Sequence, residues 1–265
     1  MRLFLYNIPM TLAQFEIFSD FRDEFCTYCM KLNKAYGDLL RPLQIKAGLD
    51  DTPRYPLETP VVYNTALDEI TQESDIRLIV IGDNPGKDEQ REINKKYLVG
   101  QSGKIAAGFF ANNTEFQTDF RKNVIILNKT PVHTAKTTHL KYLLKYGGKE
   151  IRELVLESQV FMAEKIAMLH QALCNNAGSD GIKPELWLVG YAELKEKGLF
   201  LGFKKELSED YDKTDEFWNR VYVFQHFSMN RFSIDLKTFM SKHSGLGIVE
   251  AAHELGSLHK KEIFG

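Results

Sequence analysis

A carboxylate, two carboxamides and an imidazole stand at positions from which they could act on one small ligand. Asp83 and Asn84 lie in a turn flanked by glycines. Asn128 and His226 each follow a later apolar run. A carboxamide offers a hydrogen-bond donor and an acceptor, a carboxylate offers acceptors, and a neutral imidazole offers one of each. These groups predict a polar site that holds a small ligand through several directed hydrogen bonds.

Taken singly, the same residues have ordinary structural explanations. The sequence Asp-Asn-Pro-Gly is common turn chemistry, and a single histidine at a strand end is more often structural than catalytic. Their position favours a site, because each group follows a segment with the pattern of a buried strand.

Four short apolar runs have the composition of fully buried strands: 78–81, 124–127, 186–189 and 221–224. Helix-like segments separate them, and the clearest covers residues 151–173. This alternation predicts an α/β protein with three α/β/α layers, a mostly parallel four-stranded central sheet and an N-terminal helical segment. Ligands bind such sheets beyond the carboxyl ends of the strands. The segments at those ends are 82–86, 128–131, 190–191 and 225–228.

The N-terminal part of the chain predicts a long helix followed by irregular structure. Thr11 and Gln14 have the spacing of a capping box, and apolar residues then recur at helical spacing. Gly37 predicts the end of this helix, and four prolines within 38–64 predict a connector. Residues 1–10 are interpreted as an edge strand or lead-in rather than a signal peptide.

Residues 1–265 are predicted to form one domain, with an N-terminal helical extension (1–70), a core (76–236) and a C-terminal helical tail (237–265). The chain is 43% hydrophobic and 26% charged, which is typical of a globular protein with one large core. No segment approaches the roughly 18 consecutive apolar residues of a membrane span. Three cysteines are too few for a disulfide framework, so a cytoplasmic location is expected.

The net charge of −2 argues weakly against a protein that coats nucleic acid through bulk charge, but it leaves local phosphate contacts open. Residues 120–149 contain no acidic side chain and suit such contacts. Their cations are Arg121, Lys122, Lys129, Lys136, Lys141, Lys145 and Lys149, accompanied by His133 and His139. Residues 87–92 are mixed in sign and predict a solvated loop, with Asp88 and Gln90 beside the pocket.

The order of these motifs resembles the uracil-DNA glycosylase superfamily. Gly-x-x-Pro-Gly follows the first strand, Asn follows the second and His-x-Ser follows the last, so that the resemblance covers about residues 76–236. Residues 97–103 (Tyr-Leu-Val-Gly-Gln-Ser-Gly) are similar to the Pro-Phe-Val-Gly-x-x-Gly segment of the iron–sulfur branch. Residues 128–131 (Asn-Lys-Thr-Pro) resemble a shortened form of that branch's Asn-x-x-Lys-x-x-Pro segment.

The resemblance implies that a damaged base is extruded from DNA and released by attack of water on its N-glycosidic bond. His226 would donate to the base oxygen, preferably as neutral imidazole, while Asn128 reads the amide edge of the base. Asp83 or Asn84 would position the water, and only Asp83 could also stabilise positive charge on the sugar. The implied substrate-binding residues are Gly82, Pro85, Gly86, Tyr97, Leu98, Phe109, Asn128, Ser228 and Arg231.

Several positions depart from the family pattern. Asp83 is shorter than the glutamate of the iron–sulfur branch, whereas Asn84 matches the mismatch-specific and single-strand-selective branches. Phe227 replaces the proline of His-Pro-Ser. Leu98 replaces the stacking aromatic residue, so that role passes to Tyr97 or to one of the phenylalanines at 109 and 110.

No cofactor, metal or iron–sulfur cluster is expected. Cys26 and Cys29 have the spacing of two cluster ligands, but Cys174 is the only other cysteine and a cluster needs four thiolates. DNA is the expected partner, with no membrane contact, and the sequence identifies no protein partner. Two alternatives stay open: a repurposed member that binds a nucleobase, nucleotide or nucleic acid without cleavage, and another α/β hydrolase or transferase of nucleotides.

Overall fold

A parallel sheet of four short strands forms the centre of the protein. The structure, a computed structural model, describes residues 7–211 and 216–265. The strands are β1 (Leu78–Gly82), β2 (Val124–Asn128), β3 (Glu185–Val189) and β4 (Val221–Phe224). Their order across the sheet is β2-β1-β3-β4, and all three pairings are parallel. The four predicted strand positions are confirmed.

Helices cover both faces of this sheet, which gives the predicted three-layer α/β/α architecture with an N-terminal helix. They are α1 (Leu12–Ala47), α2 (Gln101–Asn112), α3 (Leu140–Tyr146), α4 (Gly148–Asn175), α5 (Leu201–Asp210), α6 (Arg231–Lys242) and α7 (Ile248–Phe264). In the described part of the chain, no helix combines the length and apolar content needed to cross a bilayer.

An aromatic cluster attaches α2 and α6 to the sheet. Trp187 on β3 is buried, and its ring centroid lies 4.6 Å from that of Phe224 on β4. Phe110 of α2 lies 5.6 Å from the same indole and Phe232 of α6 lies 5.8 Å from it. Burying large aromatic surfaces contributes strongly to stability. This packing fixes the segment between β4 and α6, which carries His226.

The first helix is longer than the sequence predicts. The capping box of Thr11 and Gln14 is present, but the helix continues through Gly37 and Pro42 to Ala47. Predicting a stop at Gly37 was therefore wrong. Packing against α3 and α4 outweighs the local cost of glycine and proline in a helix. The irregular connector begins only after this helix.

The first described residues and the C-terminal helix both contact the core. Of the predicted edge strand or lead-in at 1–10, residues 1–6 lie outside the described residues. Residues 7–10 form no strand, and the backbone N–H of Met10 donates to the carbonyl of Gln72 (3.1 Å). At the other end, α7 packs against β4 and α6. A Cβ at Gly256 would lie only 2.6 Å from the ring of Phe224, so α7 approaches the sheet very closely.

His170 is a buried histidine of α4 that the fold holds neutral. Its Nδ1 accepts a hydrogen bond from the Tyr211 hydroxyl (2.7 Å), and its Nε2–H donates to the Pro184 carbonyl (3.1 Å). Burial lowers its pKa from 6.5 to about 4. The unfolded chain therefore takes up this proton at a higher pH than the folded protein does.

The free energy of unfolding should consequently decrease as the pH is lowered, because His170 is held neutral in the folded protein. Its contribution is present above pH 6.5 and is lost as the pH falls towards about 4. Relative to His170→Gln, we expect the unfolding free energy of the wild type to drop by up to about 3 kcal/mol over this range, at about 1.4 kcal/mol per pKa unit. Urea unfolding of both proteins across this range tests the prediction, and parallel curves would contradict it.

Candidate active site

A cavity of about 490 Å³ opens at the carboxyl end of the sheet. All four strands contribute to it: Asp83 and Asn84 follow β1, Asn128 ends β2, Gly190 follows β3 and His226 follows β4. The chain leaves β1 towards β2 on one side, and β3 lies on the other. The cavity thus lies at the switch point of strand order, where open α/β sheets bind ligands.

Asn128 lines this cavity and carries an unsatisfied hydrogen-bond donor. Its side chain is 2% exposed, and its Nδ2 has no hydrogen-bond partner among the described residues. A Cβ at Gly82 would lie 2.4 Å from Oδ1 of Asn128, so only glycine accommodates the amide there. A buried polar group without a partner is costly, and a ligand that brings a hydrogen-bond acceptor would remove this cost.

Asp83 forms a buried ion pair with Lys129. The ammonium of Lys129 is 2.7 Å from Oδ1 of Asp83, and it also donates to the carbonyls of Val189 (2.6 Å) and Gly82 (3.3 Å). It therefore joins the ends of β1 and β3 from its position after β2. The other oxygen, Oδ2, accepts a long hydrogen bond from the Thr137 hydroxyl (3.4 Å). Lys129 was predicted as part of a phosphate-facing basic segment. That interpretation was wrong, because its side chain is completely buried.

Gly190 makes room for the Asp83 carboxylate. Its φ of +91° is left-handed, and a Cβ there would lie 2.3 Å from Oδ1 of Asp83. We expect Gly190→Ala to destabilise the protein more than Gly245→Ala, which adds a Cβ at φ +106° in open space. The control carries only left-handed strain of about 1–2 kcal/mol, whereas Gly190→Ala adds an overpacking cost of about 1–3 kcal/mol. Equal losses of unfolding free energy would show that the Asp83 contact is unimportant.

Asn84 is held by hydrogen bonds that use only its amide nitrogen. Nδ2 donates to the Thr134 hydroxyl (2.8 Å) and less closely to the Thr134 carbonyl (3.3 Å). The carbonyl of Pro85, next in the turn, accepts from Nδ1 of His133 (2.8 Å), whose Nε2 accepts from the Tyr55 hydroxyl (2.9 Å). Burial lowers the pKa of His133 to about 4. Neutral His133 thus fixes the turn, and the Asn84 carbonyl oxygen is left to accept a hydrogen bond in the cavity.

The hydrogen bonding of His226 selects one neutral tautomer. The backbone N–H of Ser228 donates to Nδ1 of His226 (3.0 Å), so Nδ1 is an acceptor. Burial lowers the pKa of His226. The negative charge of Asp83 raises this pKa in part, whereas the positive charge of Lys129 lowers it further. The proton of the neutral ring therefore resides on Nε2. His226 lines the cavity as a neutral hydrogen-bond donor.

Glu89 also lines the cavity, although the sequence analysis predicted only a solvated loop there. Its carboxylate accepts the backbone N–H groups of Gly86 (3.1 Å) and Leu98 (2.9 Å). Burial raises its pKa to about 7. The available signal was its position three residues after Gly86, from which a carboxylate can reach back to a backbone N–H as in a capping box.

The four polar residues predicted for the site therefore line one cavity. No family model, curated protein or solved structure matches this chain. Its function is accordingly inferred from the chemistry of the cavity. Ser228 and Arg231 also line it, as do Gly86 and Leu98.

Other predicted residues lie elsewhere. Gly82 and Pro85 are not among the residues that line the cavity. The Tyr97 side chain is buried, and its hydroxyl donates to the Val62 carbonyl (2.5 Å). Phe109 packs against the rings of Phe110, Phe116 and Phe232. No Phe, Tyr or Trp lines the cavity in the described part of the chain, so the structure does not support base stacking by Tyr97, Phe109 or Phe110.

The neighbouring predictions are corrected in the same way. Gln90 is fully buried and binds the backbone at 56–59, and neither it nor Asp88 lines the cavity. His133 and His139 are buried rather than available to phosphates. Lys136, by contrast, is exposed and lines the cavity.

The lining of the cavity includes an exposed apolar side chain and two exposed cations, Lys136 and Arg231. Met229 is 75% exposed, and both it and Asn230 have left-handed backbones (φ 55° and 56°). Phe227, which precedes this turn, is buried 5.1 Å from the ring of Phe232 and anchors the loop. Arg231 follows directly and is exposed. The loop therefore projects a methionine and a guanidinium beside the cavity mouth.

Proposed function

We propose that this protein is a DNA base-excision glycosylase that releases uracil or a related deaminated base by attack of water on the N-glycosidic bond. The observation that carries the proposal is the unsatisfied, buried Nδ2 of Asn128, a residue that lines one cavity together with His226, Asp83 and Asn84. An amide nitrogen selects an acceptor such as an exocyclic carbonyl oxygen. Deamination converts an amino group of a base into such a carbonyl.

In the proposed reaction, His226 stabilises the departing base. Negative charge develops on the base as the glycosidic bond breaks, and a preorganised donor lowers the energy of that state. The neutral Nε2–H tautomer of His226 supplies such a donor without first having to lose a proton. The leaving base departs as an anion, and the attacking water transfers its hydroxyl to the sugar carbon and its proton to solvent or to the base.

The two residues after β1 have separate roles in this proposal. Asn84 uses its nitrogen for Thr134, so its carbonyl oxygen accepts a hydrogen bond from the attacking water. Asp83 pairs with Lys129 through Oδ1, and its Oδ2, which accepts only a long hydrogen bond from Thr137 among the described residues, acts on the sugar. The carboxylate stabilises the positive sugar only in part, since the ammonium offsets much of its charge.

DNA would contact the rim around Met229. Arg231 supplies a cation beside the cavity for backbone phosphates, and Lys136 would supply a second one by exchanging its surface ion pair with Asp51 (2.9 Å) for a phosphate. An exposed apolar side chain at such a rim suits insertion between bases, which helps to extrude one of them. Lys141, Lys145 and Lys149, which follow Lys136 along the chain, are exposed as well and would add phosphate contacts.

The test is release of base from labelled oligonucleotides that contain uracil, hypoxanthine or a thymine mismatch, single- and double-stranded. We expect an abasic product from at least one of them, and a matched oligonucleotide with cytosine at the same position should stay intact. Folded protein that yields no abasic product from any of these substrates would refute the glycosylase proposal.

A second candidate function, base binding without cleavage, is favoured by the Lys129–Asp83 pair. The ammonium at 2.7 Å offsets the negative charge that would stabilise an oxocarbenium-like sugar. A protein of this kind would bind uracil through Asn128 but leave the oligonucleotide uncut. Calorimetric titration with free uracil separates the two functions, with Asn128→Leu as the variant expected to lose binding.

A further inference from the structure

We propose that Glu89 is a positioning residue. Its carboxylate holds Leu98, whose backbone forms one wall of the cavity (the Leu98 wall), to the turn at 82–86, and this contact is the clamp. Proton uptake by the carboxylate releases the wall. This deepens the proposed function and rests on it for the effect on catalysis. The clamp itself is a property of the structure that can be measured without any substrate.

The clamp uses both oxygens of one carboxylate. Oε2 of Glu89 accepts the Gly86 N–H (3.1 Å), and Oε1 accepts the Leu98 N–H (2.9 Å). Gly86 and Leu98 belong to different segments, and both line the cavity. Two N–H donors need two acceptors. A protonated carboxyl group, or a carboxamide, carries hydrogen on one of the two atoms and cannot accept equally at both.

The Leu98 wall needs such a clamp because its backbone is unfavourable. Leu98 has φ +53°, a left-handed conformation that a leucine rarely adopts. Its carbonyl accepts from Nη2 of Arg121 (2.5 Å). A Cβ at Gly103 would lie 1.3 Å from that carbonyl oxygen, so the peptide is pressed against the start of α2. Glu89 and Arg121 thus hold the N–H and the carbonyl of the same residue.

The electrostatic surroundings place the protonation of Glu89 near neutrality. Burial is the main cause that raises its pKa to about 7, and Asp88 adds to the rise. The two N–H donors and the Arg121 guanidinium lower the pKa of Glu89 and so offset part of this rise. The Tyr97 phenol lies nearby, and the cavity side carries Asp83, His226, Glu193, Lys136 and Arg231. Among the described residues, none forms an ion pair with Glu89. The clamp is therefore closed above about pH 7 and open below it.

Amide NMR titration of the uniformly ¹⁵N-labelled, deuterated protein from about pH 5.5 to about pH 8.5 tests the clamp across the expected transition. As the pH rises and the carboxylate forms, the resonances of the Gly86 and Leu98 amide protons should shift downfield together, with one midpoint near pH 7. Glu89→Gln should abolish both transitions, whereas Glu92→Gln, an exposed neighbour, should leave them intact. Two amides without a common transition in the wild type would overturn the proposal, even if Glu89→Gln does not fold.

The catalytic consequence is tested by the pH profile of uracil release. We expect the wild-type rate to rise through pH 7, and Glu89→Gln to lack this rise and to be slower at pH 8 by about 10²-fold, the cost of a misplaced wall. Uracil release whose pH profile is the same in Glu89→Gln would refute the positioning role. Absence of release at every pH would refute the glycosylase proposal instead, while the amide titration would still decide the clamp.

Discussion

Replacement of His226 by alanine is expected to lower the rate of uracil release by about 10²–10³-fold, the usual effect of removing one preorganised donor to a developing anion. The Ser228 N–H donates to Nδ1, so the donor that the variant loses is the Nε2–H of this cavity-lining residue. The measurement is a single-turnover rate on a uracil-containing oligonucleotide with enzyme in excess. Such a rate reports on bond cleavage rather than on product release.

His243→Ala is the matched control for this prediction. His243 is an exposed histidine at the end of α6, and it lies outside the cavity. The single-turnover rate of His243→Ala should equal that of the wild type. Both variants should keep the wild-type circular dichroism spectrum. A His226→Ala rate within about twofold of the wild type would mean that the residue contributes little to transition-state stabilisation, and would remove His226 from the mechanism.

Lys129→Met is expected to reduce the free energy of unfolding by about 3–5 kcal/mol, because it leaves the Asp83 carboxylate buried without its counter-ion. The variant also removes donors from the Val189 and Gly82 carbonyls. Urea unfolding at pH 7 provides the measurement. The double variant Asp83→Asn/Lys129→Met should lose less unfolding free energy than the two single variants lose in sum. In the double variant neither member of the ion pair is left as an unpaired buried charge.

Lys183→Met is the comparison for an ordinary ion pair. Lys183 pairs with Glu216 at 2.9 Å on the surface, with 38% and 65% of the two side chains exposed. Loss of this surface ion pair should reduce the free energy of unfolding by less than about 1 kcal/mol. Equal destabilisation by Lys129→Met and Lys183→Met would mean that the buried pair has no special weight in this fold.

The sheet was predictable because buried parallel strands need continuous apolar runs. Each of the four runs occupies the strand that the sequence indicates, and the polar residues that follow three of these runs lie at the carboxyl edge of the sheet. The length of α1 was not predictable in the same way. Gln44 lies in its last turns and donates to the carbonyls of Pro60 and His133, and such long-range contacts outweigh the local signals of Gly37 and Pro42.

The roles of charged residues near the site required the tertiary structure. Lys129 is one of several lysines in a basic segment, and nothing local distinguishes it from Lys136. Only the folded chain shows that Lys129 meets Asp83 whereas Lys136 stays at the rim. The same holds for Glu89, which lies in a mixed-charge segment and whose acceptor role depends on the Leu98 backbone.

The sequence by itself thus determined the strands, the layer architecture and which polar side chains reach the carboxyl edge of the sheet, because strand burial and strand direction are written in local patterns. The tertiary structure alone decided which charges are paired, which aromatic rings are buried away from the cavity, and which amide is left without a partner. These depend on contacts between residues that are distant along the chain, such as Asp83 with Lys129 and Gly190. No local pattern encodes such contacts.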